Sequence, residues 1–255
     1  MDIVVCVKQV VDTEAALEVD AAGEVVTEGQ TLVIDPYSEF AVERAVQLTE
    51  EVGGTVTLLC VGDEGCAATV RHGLAMGAHE AVILTDEAWR TRDAAVCAAQ
   101  LAGAIEPLEP DMVMGGWKSG DTAAAQVMGR LGVLLNMPVA TMATAVALED
   151  GTARVVCEVD GGTEAVELPL PCVIAAQQGL AEPRYPSVRD VMQARRKKIE
   201  MRDAPAVEVP KGGGVRVVSR TLKPPRAGGR IVEGSVEEAV AATVRLLAEE
   251  AKVLA

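Results

Sequence analysis

Residues 55–85 read TVTLLCVGDEGCAATVRHGLAMGAHEAVILT, and this stretch decides the fold. Residues 55–61 and 80–85 are short apolar runs of the kind that forms buried strands. Between them, residues 66–77 have a helical pattern that ends at Gly77. A strand, a helix and a second strand in this order predict a parallel βαβ unit with a right-handed crossover.

The same alternation extends on both sides of this unit. Upstream, Asp35-Pro36 opens a helix that runs to about Glu51, because Asp is a good N-cap and Pro is favoured at the first helical position. The other predicted strands are residues 2–7, 111–116 and 138–144, and the other predicted helices are 92–106 and 121–136. The sequence therefore predicts an α/β fold with a doubly wound, mostly parallel, Rossmann-like sheet.

The hydrophobic period changes at residue 145. Residues 145–176 alternate apolar and polar side chains around turn signals at 150–151 and 160–162, which predicts antiparallel β-hairpins appended to the sheet. Residues 182–186 (EPRYP) are expected to form a rigid exposed loop, and 187–199 a short helix that ends in a basic run.

The last fifty residues differ in composition from the rest. Residues 203–233 are rich in Pro, Gly and Arg and cannot build a core alone. A final helix over 235–251 begins with a capping box of Ser235 and Glu238. We therefore expect an α/β domain over residues 1–203 and an extended C-terminal arm over 204–255 that lies on another protein. The alternative is a flexible tail whose helix docks back on its own domain.

Composition narrows the functional classes. The 255 residues carry a net charge of −15, which argues against a nucleic-acid partner. The two histidines, His72 and His79, are too few for a histidine-dependent triad or a multi-histidine metal centre. Six cysteines without a CxxC pair predict buried free thiols in a reducing cytosol. Since no acid–base pair stands out, we expect a binding and positioning protein rather than a self-sufficient enzyme.

The N-terminus predicts a cytoplasmic location. MDIVVCVK enters a strand at once, so we expect no signal or transit peptide. Residues 131–148 carry no charge and are just long enough to raise the question of a membrane helix. Asn136 and Pro138 interrupt them, so a helix end, a turn and a strand explain the stretch better, and no membrane insertion is expected.

The most informative segment for chemistry is Gly115–Thr122, GGWKSGDT. In an open α/β sheet, ligands bind beyond the carboxyl ends of strands where the strand order reverses. Glycines allow a backbone to approach a ligand closely, and the N-terminus of a following helix favours a phosphate. The segment is neither a Walker motif nor GxGxxG. The alternative is a tight turn in which Asp121 or Ser119 caps the next helix.

Motifs along nearly the whole chain resemble the β subunits of electron transfer flavoproteins, including the FixA-type proteins. VKQVVD at 7–12 is similar to the family opening VKxVxD, and RHGLAMGA at 71–78 matches RxxLAMGA. DPYSEFAVERAV at 35–46 and GWKSGDTAAAQ at 116–126 correspond to the family's nucleotide segments. EPRYPSVRDVMQARRKKI at 182–199 matches EPRYxxLxxIMxAxxKxI.

The resemblance implies an electron carrier with an adenine-nucleotide-binding fold and no autonomous catalysis. Such a β subunit pairs with an α subunit that holds most of a redox-active FAD, and its own site holds a structural AMP or, in bifurcating relatives, a second FAD. The heterodimer takes electrons from a flavoprotein dehydrogenase, such as an acyl-CoA dehydrogenase, and delivers them to a quinone oxidoreductase or another acceptor. The arm would then wrap the α subunit.

Site residues follow from the same resemblance. The nucleotide pocket comprises Cys6, Val7, Lys8, Asp35, Pro36, Tyr37, Ser38, Val61, Gly62, Gly116, Trp117, Lys118, Ser119, Gly120, Asp121, Thr122, Ala123, Ala124, Ala125, Gln126 and Val127. Tyr37 stands where the family places an aromatic ring near the flavin of the α subunit. The loop that docks the dehydrogenase comprises Glu182, Pro183, Arg184, Tyr185, Pro186, Val188 and Met192. Val188 takes the place of its apolar anchor, usually Leu.

Departures from the family pattern keep the ligand open. Asp35 replaces the usual Asn and adds negative charge near a phosphate-bearing ligand, and Gly120 replaces an aliphatic residue. Asp121-Thr122-Ala123 retains one carboxylate where the family often has two or three. AMP and a second FAD therefore both stay as expectations. The third interpretation is a stand-alone nucleotide-binding stress-type protein. The 182–199 segment and the arm argue against it.

Overall fold

The computed structural model describes residues 1–207, 215, 217–224 and 228–254. A nine-stranded sheet with the strand order β11-β5-β4-β1-β6-β10-β7-β8-β9 dominates the chain, and β2 and β3 form a separate antiparallel pair. The strands are β1 (Asp2–Cys6), β2 (Gln9–Val11), β3 (Leu32–Ile34), β4 (Thr55–Gly62), β5 (Glu80–Thr85), β6 (Met112–Gly116), β7 (Val139–Glu149), β8 (Thr152–Val159), β9 (Gly162–Pro169), β10 (Cys172–Ala176) and β11 (Glu200–Asp203). The helices are α1 (Pro36–Val52), α2 (Ala67–Ala75), α3 (Ala94–Ile105), α4 (Val127–Leu135), α5 (Val188–Arg196) and α6 (Val236–Glu249).

Seven parallel strands form the body of the sheet, which confirms the predicted Rossmann-like α/β fold. Strand β1 lies in the middle, where Ile3 pairs with Val56 of β4 and with Met112 of β6. In chain order, β4 and then β5 are added on one side of β1, and β6 pairs with the opposite side of β1. The strand order therefore reverses between β1 and β6, which is where ligands bind in such sheets.

Alternate residues of each strand enter two separate cores. Ile3 and Val5 pack with α1 and α2 on one face, whereas Val4 and Cys6 pack with α3 and α4 on the other. Burial on both faces explains why the strands are continuous apolar runs. The six cysteines are free thiols, and all but Cys97 are buried.

Helix α1 begins as its sequence predicts. Asp35 is the N-cap and accepts hydrogen bonds from the backbone N–H groups of Tyr37 and Ser38, with Pro36 in the first turn. The capping box predicted for the last helix is also present, since Ser235 and Glu238 bond reciprocally at the start of α6.

Helix α4 is shorter than the helix predicted over residues 121–136, so that prediction was wrong at its start. It begins at Val127 rather than at residue 121, and its N-cap is Gln126. Asp121 and Ser119 therefore do not cap it. Ala123 and Ala125 adopt positive φ angles of 48° and 52°, which a continuous helix does not allow. The alanine-rich composition of 121–126 suggested helix, but the backbone forms an irregular loop instead.

Three strands also differ from the expectation. Residues 172–176 form β10, a central parallel strand between β6 and β7, rather than part of a hairpin. All five residues of β10 are buried, as both faces of the sheet require. Residues 139–149 are one strand, β7, which is parallel to β10 and antiparallel to β8. Strand β11 was not foreseen because its side chains are exposed at the sheet edge.

None of the side chains of α6 is buried. Residues 212–214 and Pro225, on which part of the arm prediction rests, lie outside the described residues. The division into a 1–203 domain and a 204–255 arm stays a prediction. Across the described ranges, no helix combines the length and the apolar character that a bilayer crossing requires.

Candidate nucleotide site and docking segment

Lys8 joins three of the predicted nucleotide segments at the carboxyl edge of the sheet. Its ammonium group lies 2.7 Å from Asp121 Oδ1 and 3.3 Å from Ser119 Oγ. Its backbone N–H donates to Ser38 Oγ at 3.3 Å. The end of β1, the start of α1 and the loop after β6 therefore meet at one cation.

Asp35 joins two of these segments, the start of α1 and the loop after β6, by hydrogen bonds. Its buried carboxylate accepts from the N–H groups of Tyr37 and Ser38 through Oδ2, at 3.1 and 3.2 Å, and from the N–H of Gly120 through Oδ1 at 2.7 Å. Burial raises the pKa of Asp35, and the bonds from Gly120 and Ser38 oppose this rise. One side chain thus caps α1 and also holds the loop after β6.

The loop over residues 117–126 leaves the N-terminus of α4 open. Among the described residues, no side chain forms a capping hydrogen bond at this end of the helix. The candidate caps are engaged elsewhere: Ser119 Oγ lies 3.0 Å from Thr122 Oγ1, and Asp121 bonds Lys8 and the N–H of Thr122. Because the first N–H groups of a helix lack intrahelical partners, this end offers donors and a positive dipole to an anion.

Gly116 allows the close approach that this edge requires. A Cβ atom at this position would lie 2.6 Å from the Cβ of Tyr37 and 3.0 Å from the carbonyl oxygen of Lys118. The first distance is shorter than Cβ atoms adopt, and the second is a tight contact with the backbone. The glycine is therefore needed for β6 to turn directly beneath the start of α1.

Aromatic rings and a lysine form one side of the site. The Tyr37 ring is 6.2 Å from Phe40 and 6.0 Å from Trp117, in edge-to-face geometry. Lys118 Nζ lies 4.6 Å from the Trp117 ring centre and 5.3 Å from that of Tyr37. The indole N–H of Trp117 donates to Gln177 Oε1 at 2.9 Å. This surface offers positive charge and ring edges to a flat or anionic ligand.

The remaining predicted pocket residues have a lesser role in the geometry. Cys6 and Val7 are buried behind Lys8, and burial raises the pKa of the Cys6 thiol, which keeps it protonated. Val61 and Gly62 end the neighbouring strand β4, and a Cβ at Gly62 would overlap the Cys66 thiol. We call Lys8, Asp35, Ser119, Asp121 and Thr122 the Lys8 cluster. Residues 124–127 follow the loop into α4 and form no hydrogen bond to the Lys8 cluster in the part of the chain that the structure describes.

The donor set fits a phosphate ester. Lys8 supplies an ammonium group, Ser119 and Thr122 supply hydroxyls, and the α4 N-terminus supplies backbone donors. Asp121 competes for the Lys8 charge. Burial raises its pKa, but the charge and hydrogen bond of Lys8, together with hydrogen bonds from Ser119 and Thr122, outweigh burial, so the pKa of Asp121 lies below its usual range. A ligand phosphate would have to share Lys8 with this carboxylate.

The predicted docking residues lie on a separate surface, held by α1. Arg184 donates to Glu43 through Nε (2.9 Å) and Nη2 (2.9 Å), and to Glu50 through Nη1 (2.7 Å) and Nη2 (3.0 Å). These bonds raise the pKa of Arg184 and hold that of Glu50 below its usual range. Tyr185 is 100% exposed and Val188 is 83% exposed. We call residues 182–197 the docking segment.

Sequence reasoning missed the residues that hold this segment. Glu43 is buried on α1, where a carboxylate amid apolar neighbours signals a partner elsewhere in the chain. Arg71 of α2 donates to carbonyl oxygens at the end of α5, more than 120 residues away, a contact that no local pattern indicates. Gln177, which orients Trp117 and donates to Glu158, carries no local sequence signal.

Comparison with known proteins gives a consistent result. A family model described as Electron transfer flavoprotein domain matches residues 23–207. The electron transfer flavoprotein subunit beta of Syntrophomonas wolfei is 34% identical over 93% of this chain and 92% of its own length. That of Bacillus subtilis is 33% identical over 100% of both chains. The caffeyl-CoA reductase-Etf complex subunit CarD of Acetobacterium woodii is 31% identical over 96% of both. The chain therefore belongs to the family of electron transfer flavoprotein β subunits.

Proposed function

We propose that the chain works in a heterodimer that shuttles electrons from a flavoprotein dehydrogenase of the acyl-CoA dehydrogenase type to a quinone oxidoreductase or another acceptor. The observation that carries this proposal is the docking segment, which presents exposed Tyr185 and Val188 on a base held by buried contacts. A carrier needs such a surface to meet its donor. A stand-alone nucleotide-binding protein has no use for it.

In this proposal the Lys8 cluster holds a structural AMP. Lys8, Ser119 and Thr122 and the open N-terminus of α4 bind its phosphate, and Asp35 keeps the loop in place through Gly120. FAD, held mainly by the α subunit, supplies the electron-accepting and electron-donating chemistry. Tyr37 is the residue of this chain that the family resemblance would bring near that flavin.

Nucleotide analysis tests the cofactor assignment. The heterodimer is purified with its α subunit and denatured, and the released nucleotides are quantified. One FAD and one AMP per heterodimer are expected. Two FAD and no AMP would instead establish the bifurcating type. Release of no adenine nucleotide other than one FAD would refute a nucleotide role for the Lys8 cluster.

The arm is proposed to pack on the α subunit. Helix α6 has no buried residue, and its exposed apolar side chains recur at helical spacing on one face. These residues are Val236, Val240, Val244 and Leu247. An apolar stripe at this spacing is typical of a helix that packs against another protein. Removal of residues 204–255 is expected to weaken heterodimer assembly while the 1–203 domain stays folded. A truncated chain that still forms the heterodimer with full affinity would refute the arm.

The substitution Val188→Asp tests the docking role. Loss of an apolar anchor from the centre of an interface costs about 2 kcal/mol or more. We therefore expect a KM for the dehydrogenase that is raised at least about 30-fold, with normal flavin content. Electron transfer at the wild-type rate across dehydrogenase concentrations would reject the role of Val188.

A further inference from the structure

Residues 71–78 (RHGLAMGA) contact the docking segment at its C-terminal end. Arg71 Nη1 donates to the carbonyl oxygens of Ala194 at 3.0 Å, Arg195 at 3.3 Å and Lys197 at 3.3 Å. These carbonyl groups end helix α5. Because the last carbonyls of a helix lack intrahelical partners, the guanidinium group of α2 serves as the C-terminal cap of α5.

The same stretch approaches the docking segment at two further places. Lys197 Nζ donates to the carbonyl oxygen of buried Ala78 at 2.6 Å. Gly77 has a φ of +124°, and a Cβ atom there would lie 2.9 Å from Val46 and 3.9 Å from Nη1 of Arg184. The stretch is therefore bonded to the end of the docking segment through Lys197, and its Gly77 lies close to Arg184 near the start of the segment.

Helix α5 depends on such contacts for its order. It has nine residues, of which Ala194 is the buried one. A helix of this length is unstable in water without tertiary support. Its N-terminus is held by the capping box of Ser187 and Asp190. Its C-terminus is held by Arg71 and Lys197, so loss of Arg71 leaves the terminal carbonyls without their charged donor.

We propose that residues 71–78 are a seat that holds the docking segment in the conformation that binds the donor dehydrogenase, with Arg71 as the positioning residue. This inference rests on the proposed docking function. A preformed surface binds more tightly because the cost of ordering it is not paid on association. Arg71 contacts the carbonyls of α5 on the side held by the domain, so it acts through the position of Val188 and not by touching the dehydrogenase.

The test uses the complete heterodimer with the substitution Arg71→Gln, which removes the charge and most donors. Arg71→Lys retains a cation but loses the fork of donors. Arg154→Ala, which removes an exposed arginine of β8, is the matched control. Reduction by an acyl-CoA dehydrogenase from the same genome, with its acyl-CoA substrate, gives the KM for the dehydrogenase and kcat. Amide hydrogen exchange over 191–196 measures the order of α5.

Arg71→Gln is expected to raise the KM for the dehydrogenase about tenfold and to speed exchange in α5 by about tenfold, the equivalent of one charged hydrogen bond. The value of kcat, the flavin content and the exchange in the parallel sheet stay unchanged, Arg71→Lys lies between, and Arg154→Ala resembles the wild type. If Arg71→Gln has the wild-type KM and exchange rates while Val188→Asp has a raised KM, the proposal that residues 71–78 are a seat is overturned but the docking function is not. An unchanged KM in both variants would overturn the docking function itself. General loss of flavin and protection would assign Arg71 a merely structural role and also overturn the proposal.

Discussion

Replacing Arg184 by alanine removes the charged fork that joins the docking segment to α1. The side chain of Glu43 is 3% exposed, whereas that of Glu50 is 57% exposed. Truncation leaves the Glu43 carboxylate buried with two neutral donors, the backbone N–H of residue 184 and the side-chain amide of Gln47. A buried charge that loses its partner costs about 3 to 5 kcal/mol. Because Arg184 is itself partly exposed and two donors remain, we expect about 3 kcal/mol.

The matched variant is Glu50→Ala, which breaks the exposed half of the same network. An exposed ion pair contributes about 0 to 1 kcal/mol, so this variant should stay within that range. Thermal unfolding of the two variants and the wild type provides the comparison. For a chain of this size, about 3 kcal/mol lowers the melting temperature by about 6 to 12 °C, against at most about 4 °C for Glu50→Ala. Equal melting temperatures for the two variants would refute the argument that burial of Glu43 decides the cost.

Three further outcomes concern the nucleotide site. Asp35→Asn removes a buried charge. Because burial raises the pKa of Asp35, the folded protein binds this proton more readily than the unfolded chain, so the stability of the wild type relative to the variant should fall as the pH rises above about 4. Urea titrations at several pH values measure this difference. Gly116→Ala should weaken AMP binding about tenfold or more and lower the free energy of unfolding by about 1 to 3 kcal/mol. Its control is Gly129→Ala, where a Cβ meets nothing within 4 Å, so this variant should be stabilised by about 0.5 to 1 kcal/mol. Calorimetric titration measures AMP binding, and thermal unfolding measures stability. Lys8→Gln removes a cause of the low pKa of Asp121, so the variant should be less stable than the wild type, most of all at neutral pH, and the difference should shrink as the pH falls below about 4. A difference that stays constant in the same titrations would contradict the ion pair.

The parallel body of the sheet was predictable because its signal is local. Strands buried on both faces require unbroken apolar runs, and Asp35-Pro36 or Ser235 with Glu238 start helices through groups within a few residues. Each feature is decided by neighbours in the chain. The sheet edge on which the predicted nucleotide residues lie follows from the same local signals, since Lys8 lies just beyond β1 and Gly116 ends the adjacent strand β6.

The errors arose where distant contacts decide the structure. Residues 121–126 have helix-forming alanines, but the bonds of Asp121 to Lys8 and of Gly120 to Asp35 hold an irregular loop. Strand β10 follows a hairpin in the chain yet fills the gap between β6 and β7, which no local pattern indicates. The contacts that hold the docking segment span up to 141 residues of sequence, as between Glu43 and Arg184.

Helix α1 has one further implication, for the spacing between cofactor and donor. Its first turn carries Ser38 at the proposed nucleotide site, and about 12 Å along its axis Glu43 binds Arg184 of the docking segment. One helix therefore fixes the distance between the place where a nucleotide would bind and the place where a dehydrogenase would bind. Any insertion in this helix would rotate one of these two places relative to the other, so its length is expected to vary far less among β subunits than that of the exposed hairpin β8–β9.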